Sequence, residues 1–148
     1  MATFAENRKA YFNYDILEKF TAGIELLGLE VKSVRAGKMA LDGAYAIVRG
    51  GEAYLINSQI TPLQPKNAPA DYDERRNRKL LLTKKEIAHL ANIESKQNLT
   101  IVALSVHNVG RKIKVTLGIG RGKKLHDKRE SIKRRDSDRE LRRTLKGE

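Results

Sequence analysis

Three histidines, His89, His107 and His126, are the first candidates for metal or acid–base chemistry in this chain. They lie far apart, with no HxH or HxxxH pair, so their spacing builds no metal site. His89 falls in a predicted helix and His107 at a predicted strand end, where both read as ordinary surface residues. None of the serines (Ser33, Ser58, Ser95, Ser105, Ser131 and Ser137) stands in a GxSxG elbow. There is no cysteine, which excludes a disulfide, a thiolate ligand and a cysteine nucleophile. Gly118-Ile119-Gly120-Arg121-Gly122-Lys123-Lys124 resembles a phosphate loop only superficially. Leu117 stands where the Walker pattern needs its first glycine, and Lys124 where a hydroxyl would bind magnesium. The stretch reads instead as a flexible hinge whose lysines can meet phosphates as point charges. Glu30, between Leu29 and Val31, has two open readings: a helix-start carboxylate favoured by the dipole, or a group that positions RNA. No catalytic constellation emerges, and neither a metal nor a cofactor is expected.

Basic groups, by contrast, recur in clusters. Asn7-Arg8-Lys9 is followed by Tyr11 and Phe12. Arg75-Arg76-Asn77-Arg78-Lys79 is a second cluster, and Lys123-Lys124 with His126-Asp127-Lys128-Arg129 a third. Arginine forks suit phosphate, and aromatic rings stack on unpaired bases. The whole chain carries 30 Lys and Arg against 18 Asp and Glu, a net charge of +12. Such a surplus attracts polyanions, because each neutralised phosphate releases a condensed counterion. Nucleic acid is favoured over a membrane surface, since the basic C-terminal segment has little apolar face to insert.

The elements that must carry these groups divide the 148 residues unequally. Residues 1–120 read as a folded body, with all eight aromatics at or before Tyr72. Residues 121–148 carry 12 Lys or Arg and 6 Asp or Glu, half of the net charge, with only four large apolar side chains. Such a tail is expected to be disordered alone and to fold on a partner. Within the body, residues 14–20 and 24–27 read as a strand, broken or bulged at Gly23. Residues 29–35 suit a short helix that Gly37 stops. Residues 44–48, Gly50-Gly51 and residues 53–56 give a β-hairpin signal. Residues 62–74 hold all three prolines and read as a loop. Thr83 and Glu86 form a capping box for a helix to about Ser95 that buries Ile87, Leu90 and Ala91. Strands over 99–106 and 112–119 follow, joined near Asn108-Val109-Gly110. Many strands with few helices predict a mainly β fold, a small antiparallel barrel with short helices and a basic C-terminal tail. The N-terminus lacks the apolar run of a signal peptide, and no stretch approaches the ~18 apolar residues that span a bilayer, so a soluble cytoplasmic protein is expected.

These residues, in this order, resemble the family of small protein B, the SsrA-binding protein. The likeness is carried by Asn7-Arg8-Lys9-Ala10, Tyr14-Asp15-Ile16 and Ala22-Gly23-Ile24. It continues through Leu29 to Lys38, Gly51 to Leu55, Ile60-Thr61-Pro62 and Arg78-Lys79-Leu80-Leu81-Leu82. Gly122-Lys123-Lys124, His126-Asp127-Lys128-Arg129 and Ile132-Lys133 extend it through the tail. The resemblance implies an OB-type barrel that holds the tRNA-like domain of transfer-messenger RNA near its elbow, on a stalled ribosome. It implies a tail that enters the empty mRNA channel at the small-subunit decoding centre and becomes helical there, over about residues 127–145. It implies no catalysis and no membrane association, and a monomer.

Carried over by position, Asn7, Arg8 and Leu81 match family positions tied to RNA contact. Together with Lys9, Thr21, Glu30, Lys32, Arg78 and Lys79 they form the candidate RNA-binding set. Gly122, Lys123, Lys124, His126, Asp127, Lys128, Arg129 and Lys133 form the candidate ribosome set, with His126 stacking near the decoding centre. Arg78 and Lys79 are both expected to act through phosphates. Thr21 stands where the family often has a glutamate linked to RNA binding; its hydroxyl can still hydrogen-bond. Glu74 replaces a usual proline, and Leu29 stands where Thr or Trp is common. The competing reading is a generic single-strand RNA-binding barrel; a nucleic-acid-processing enzyme is disfavoured because no catalytic constellation stands out.

Overall fold

A computed structural model describes residues 2–96 and 98–123. The tail positions from Lys124 onward, including His126, Asp127, Lys128, Arg129 and Lys133, and the helix expected there, lie outside the described residues.

Thr3–Glu6 forms strand β1, and Asn7 then caps a short helix, α1 (Arg8–Asn13), by accepting from the Ala10 amide. Strand β2 (Tyr14–Ile24) follows without a loop. Helix α2 (Gly28–Arg35) ends before Gly37, whose φ of +78° suits a residue without a Cβ. The short strands β3 (Met39–Ala40) and β6 (Gln59–Ile60) pair with each other. Between them lies the hairpin of β4 (Tyr45–Arg49) and β5 (Glu52–Ile56). Gly50 and Gly51 turn it at φ of 60° and 77°, the left-handed pair that matches the twist of the strands. The proline-rich loop carries one 3-10 turn, Pro65–Asn67, and leads to β7 (Arg78–Leu81). Helix α3 (Lys84–Glu94) opens with the Thr83–Glu86 capping box. Strands β8 (Leu99–Val109) and β9 (Lys112–Gly122) complete the body as a long hairpin.

All pairings are antiparallel, in the order β1-β8-β4-β5-β7-β2-β9. A β8–β9 pairing joins the far end back to β8, so β8, β4, β5, β7, β2 and β9 close into a barrel, and β1 extends β8 outside the ring. The mainly β, OB-like architecture with short flanking helices is thus present. Alternate residues of β9 (Ile113, Val115, Leu117 and Ile119) point into the core with Leu55, Leu80 and Val106. Leu90 and Ile93 of α3 join that core, while Ala91 is exposed, so the helix turns a slightly different face inward than the capping box and pattern predict. A smaller cluster, Ala10 with Val102 and Leu104, seats α1 on the outer face of β8.

Some expectations change. Gly23 is not bulged; it pairs regularly with Leu81 on one side and Lys114 on the other, and the irregularity in β2 falls between Ile16 and Glu18. Gly118-to-Gly122 is no hinge but the end of β9, paired to β2 as far as Tyr14. A Cβ on Gly118 would lie 2.7 Å from Leu104, and one on Gly120 2.9 Å from Tyr14, so these glycines make room for the outer layer rather than for motion. His107 is buried, because β1 pairs over that end of β8.

Candidate nucleic-acid interface

The basic cluster 75–79 splits in two, because successive side chains of a strand point to opposite sides. Arg78 has no exposed surface, and neither has Glu30. Arg78 Nη2 donates to Glu30 Oε2 at 2.6 Å and its Nε to the same oxygen at 2.9 Å. Its remaining donors reach Ser58, the Arg76 and Glu74 carbonyls and the Tyr72 hydroxyl. Arg76 forks onto both oxygens of the same carboxylate, and the Leu27 amide donates to it at 2.8 Å. The Tyr72 hydroxyl lies 3.1 Å from Glu30 Oε2 and 3.0 Å from the Ile60 carbonyl. Burial alone would raise the Glu30 pKa, but the hydrogen bonds from Arg76, the Leu27 amide and Arg78, with the Arg78 charge, hold it below the usual glutamate value. Burial and the Glu30 charge push the Tyr72 phenol upward.

The expectation that Arg78 meets phosphate is therefore corrected: every donor is spent inside the protein, and RNA cannot reach a side chain with no exposed surface. Glu30 resolves likewise, as the buried counter-ion that ties α2 to the loop before β7; its helix-start reading is retained and its direct contact with RNA is not. Asn7 is the third such case. Its Nδ2 donates to the Leu41 and Ala103 carbonyls at 3.1 and 2.9 Å, and it is 4% exposed. It holds α1 against β8 and leaves its neighbours, Arg8 and Lys9, to face solvent.

The remaining body candidates occupy separate places. Thr21 on β2 and Lys79 and Leu81 on β7 share one outer face of the barrel, with Gly23 paired directly to Leu81. Leu81, the last residue of β7, is 53% exposed, a large apolar side chain set in the open. Lys79 is paired to Glu52 at 3.4 Å, both half-exposed. Arg8 and Lys9 lie on α1, which Asn7 holds against the middle of β8. They reach Glu6 at 3.8 Å and Asp42 at 3.7 Å as exposed ion pairs. Lys32 lies on α2 beside a cleft of about 450 Å³ between that helix and the Pro62–Leu63 loop. Gly122 ends β9, and the Lys123 amide donates to the Asn13 carbonyl at 2.9 Å.

Residue spacing does not reveal a groove of about 360 Å³ next to Leu81. Its walls include Val31, Ile113 and Leu81, and its rim Arg35, Arg111, Lys112 and Lys114. These cations come from α2 and from the β8–β9 hairpin, so no run of sequence displays them together. Arg35 Nη2 donates to the Arg111 carbonyl at 2.8 Å and fastens the two sides of the rim. Among the described residues, no group of three or more His, Asp or Glu could hold a metal ion, and no helix is long and apolar enough to cross a membrane.

Comparison with known proteins places this architecture. The family model described as SmpB protein matches residues 4–147. The SsrA-binding protein of Microcystis aeruginosa is 50% identical over 95% of this chain and 92% of its own length. That of Synechococcus elongatus is 49% identical over 96% and 92%. A solved chain described under the words "tmRNA-SmpB: a journey to the center of the bacterial ribosome" is 44% identical. It superposes with a TM-score of 0.69 over 86% of this chain and 92% of that one. The chain belongs to the SmpB family of SsrA-binding proteins.

Proposed function

We propose that this chain is an RNA-binding adaptor that holds the tRNA-like domain of transfer-messenger RNA and delivers it to stalled ribosomes in trans-translation. It works in the cytoplasm as a monomer, without a cofactor and without catalysis of its own. The observation that carries this reading is the near-complete alignment with SsrA-binding proteins, 95% of this chain at 50% identity, whose shared name states the RNA bound. The exposed face of Thr21, Lys79 and Leu81 supports it chemically. A hydroxyl, a cation and an apolar side chain lie side by side, where a phosphate and an unstacked base of a folded RNA can meet them together. Arg8, Lys9 and Lys32 add positive charge elsewhere on the body. The ribosomal half of the role belongs to Gly122, Lys123, Lys124 and the tail, with His126, Asp127, Lys128, Arg129 and Lys133 entering the empty mRNA channel; the family match to residue 147 supports a tail that is part of the family's working chain.

The test is a pull-down of the full chain from bacterial lysate followed by RNA sequencing. Transfer-messenger RNA should dominate the recovered RNA. Broad recovery of unrelated single strands would favour a generic coating barrel instead.

A further inference from the structure

Gly23 stands at the middle of a three-strand stretch of the barrel wall, directly opposite Leu81 of β7 and Lys114 of β9. Having no side chain, it makes room for Leu81, whose Cβ, Cδ1 and Cγ would lie 3.1, 3.4 and 3.6 Å from a Cβ there. Beside this pair lies the groove of about 360 Å³ lined by Val31 and Leu81. That size lies near the lower end of clefts that hold small ligands, ~300–1,000 Å³. All four charged residues of the lining, Arg35, Arg111, Lys112 and Lys114, are cations, and among the described residues no carboxylate lines it. Apolar surface alone would suit many partners. An apolar floor inside a ring of cations suits a flat, largely apolar group attached to negative charges on either side, which is a nucleotide within a single-stranded or looped RNA.

We infer that this groove takes one unpaired nucleotide of the bound RNA, its base against Leu81 and Val31 and its flanking phosphates on Arg111 and Lys112. This rests on the RNA-adaptor reading and extends it to residues outside the Thr21–Lys79–Leu81 face. The floor is aliphatic, so the base is held by apolar contact and shape rather than by ring stacking. Arg35, through its bond to the Arg111 carbonyl, positions the hairpin tip that carries two of the cations.

The test compares the full chain with Arg111→Gln/Lys112→Gln, and with Lys84→Gln/Lys85→Gln as a control of equal charge loss on exposed residues of α3. Each is titrated with a folded tRNA-like RNA over a range of salt. The rim variant should flatten the plot of log affinity against log salt by about two units, one per lost phosphate contact, and the control should not. Leu81→Ser should weaken binding by a factor that persists at high salt, since no charge is removed. Equal slopes for the rim variant and wild type would overturn the groove assignment. If the wild-type chain itself does not prefer the tRNA-like RNA over polyU, the adaptor reading fails first, and the two failures are distinguished.

Discussion

Arg78 and Lys79 are neighbours in sequence with opposite fates, and the period of a strand is the cause. Arg78 points inward to a carboxylate that is itself fully buried, and Lys79 points out beside Leu81. Removing one partner of such a buried pair leaves an uncompensated charge, which costs roughly 3–5 kcal/mol. Arg78→Met should therefore lower the urea midpoint sharply, whereas Lys79→Gln should change stability by less than about 0.5 kcal/mol. The RNA salt slope should respond the other way: Lys79→Gln should reduce it by about one unit. A surface-like stability for Arg78→Met would refute the buried pair. Glu30 makes the same cluster sensitive to acid. Its folded pKa lies below the reference value of 4.5, so its contribution to stability is complete above that value. It is lost as pH falls through the lower, folded value. Denaturant titrations from neutral to strongly acidic pH should show this acid loss in the wild type. It should be smaller in Glu30→Gln, which starts less stable at neutral pH because Arg76 and Arg78 lose their counter-charge.

At the level of elements, one glycine decides whether the start of β2 can lie on β9. Gly120 faces Tyr14 so closely that Gly120→Ala forces a displacement, and overpacking of that kind costs about 1–3 kcal/mol. Gly122, two residues on, has nothing within 4 Å of the place a Cβ would occupy, so Gly122→Ala should be close to neutral. Thermal melts of the two variants test this directly; equal melting temperatures would mean that Tyr14 does not set the packing. The same elements show what a sequence makes legible. The Gly50-Gly51 hairpin and the Thr83–Glu86 cap are readable because their signals are local, complete within a few residues. β1 and α1 are not, since each is short and is held by distant partners. Asn7 reaches carbonyls 34 and 96 residues away, so its pattern alone suggests a surface contact rather than an internal bolt. Burial of Glu30 with Arg78, 48 residues apart, is hidden for the same reason. Thr21 and Leu81 emerge through the family resemblance; the cations of the groove rim, spread over two distant segments, need the fold.

For the molecule as a whole, the proposed role divides between body and tail. Half of the net +12 lies in residues 121–148, while the exposed face of Thr21, Lys79 and Leu81, proposed to meet RNA, lies on the barrel. Because β9 runs to Gly122 and Lys123 bonds to Asn13, a truncated chain should end at Lys123 rather than at Gly120. Such a chain should fold and bind tRNA-like RNA within about tenfold of the full chain, a loss of ~1.4 kcal/mol or less. It should not support tagging on stalled ribosomes, and full tagging would show that the tail is dispensable. Non-specific attraction of a basic protein to RNA weakens steeply as salt rises, whereas shape-dependent contacts persist. The most direct measurement is therefore a competition at raised salt between a folded tRNA-like RNA and polyU for the full chain. The tRNA-like RNA should hold the protein while polyU is released; equal loss of both would contradict an adaptor built for transfer-messenger RNA.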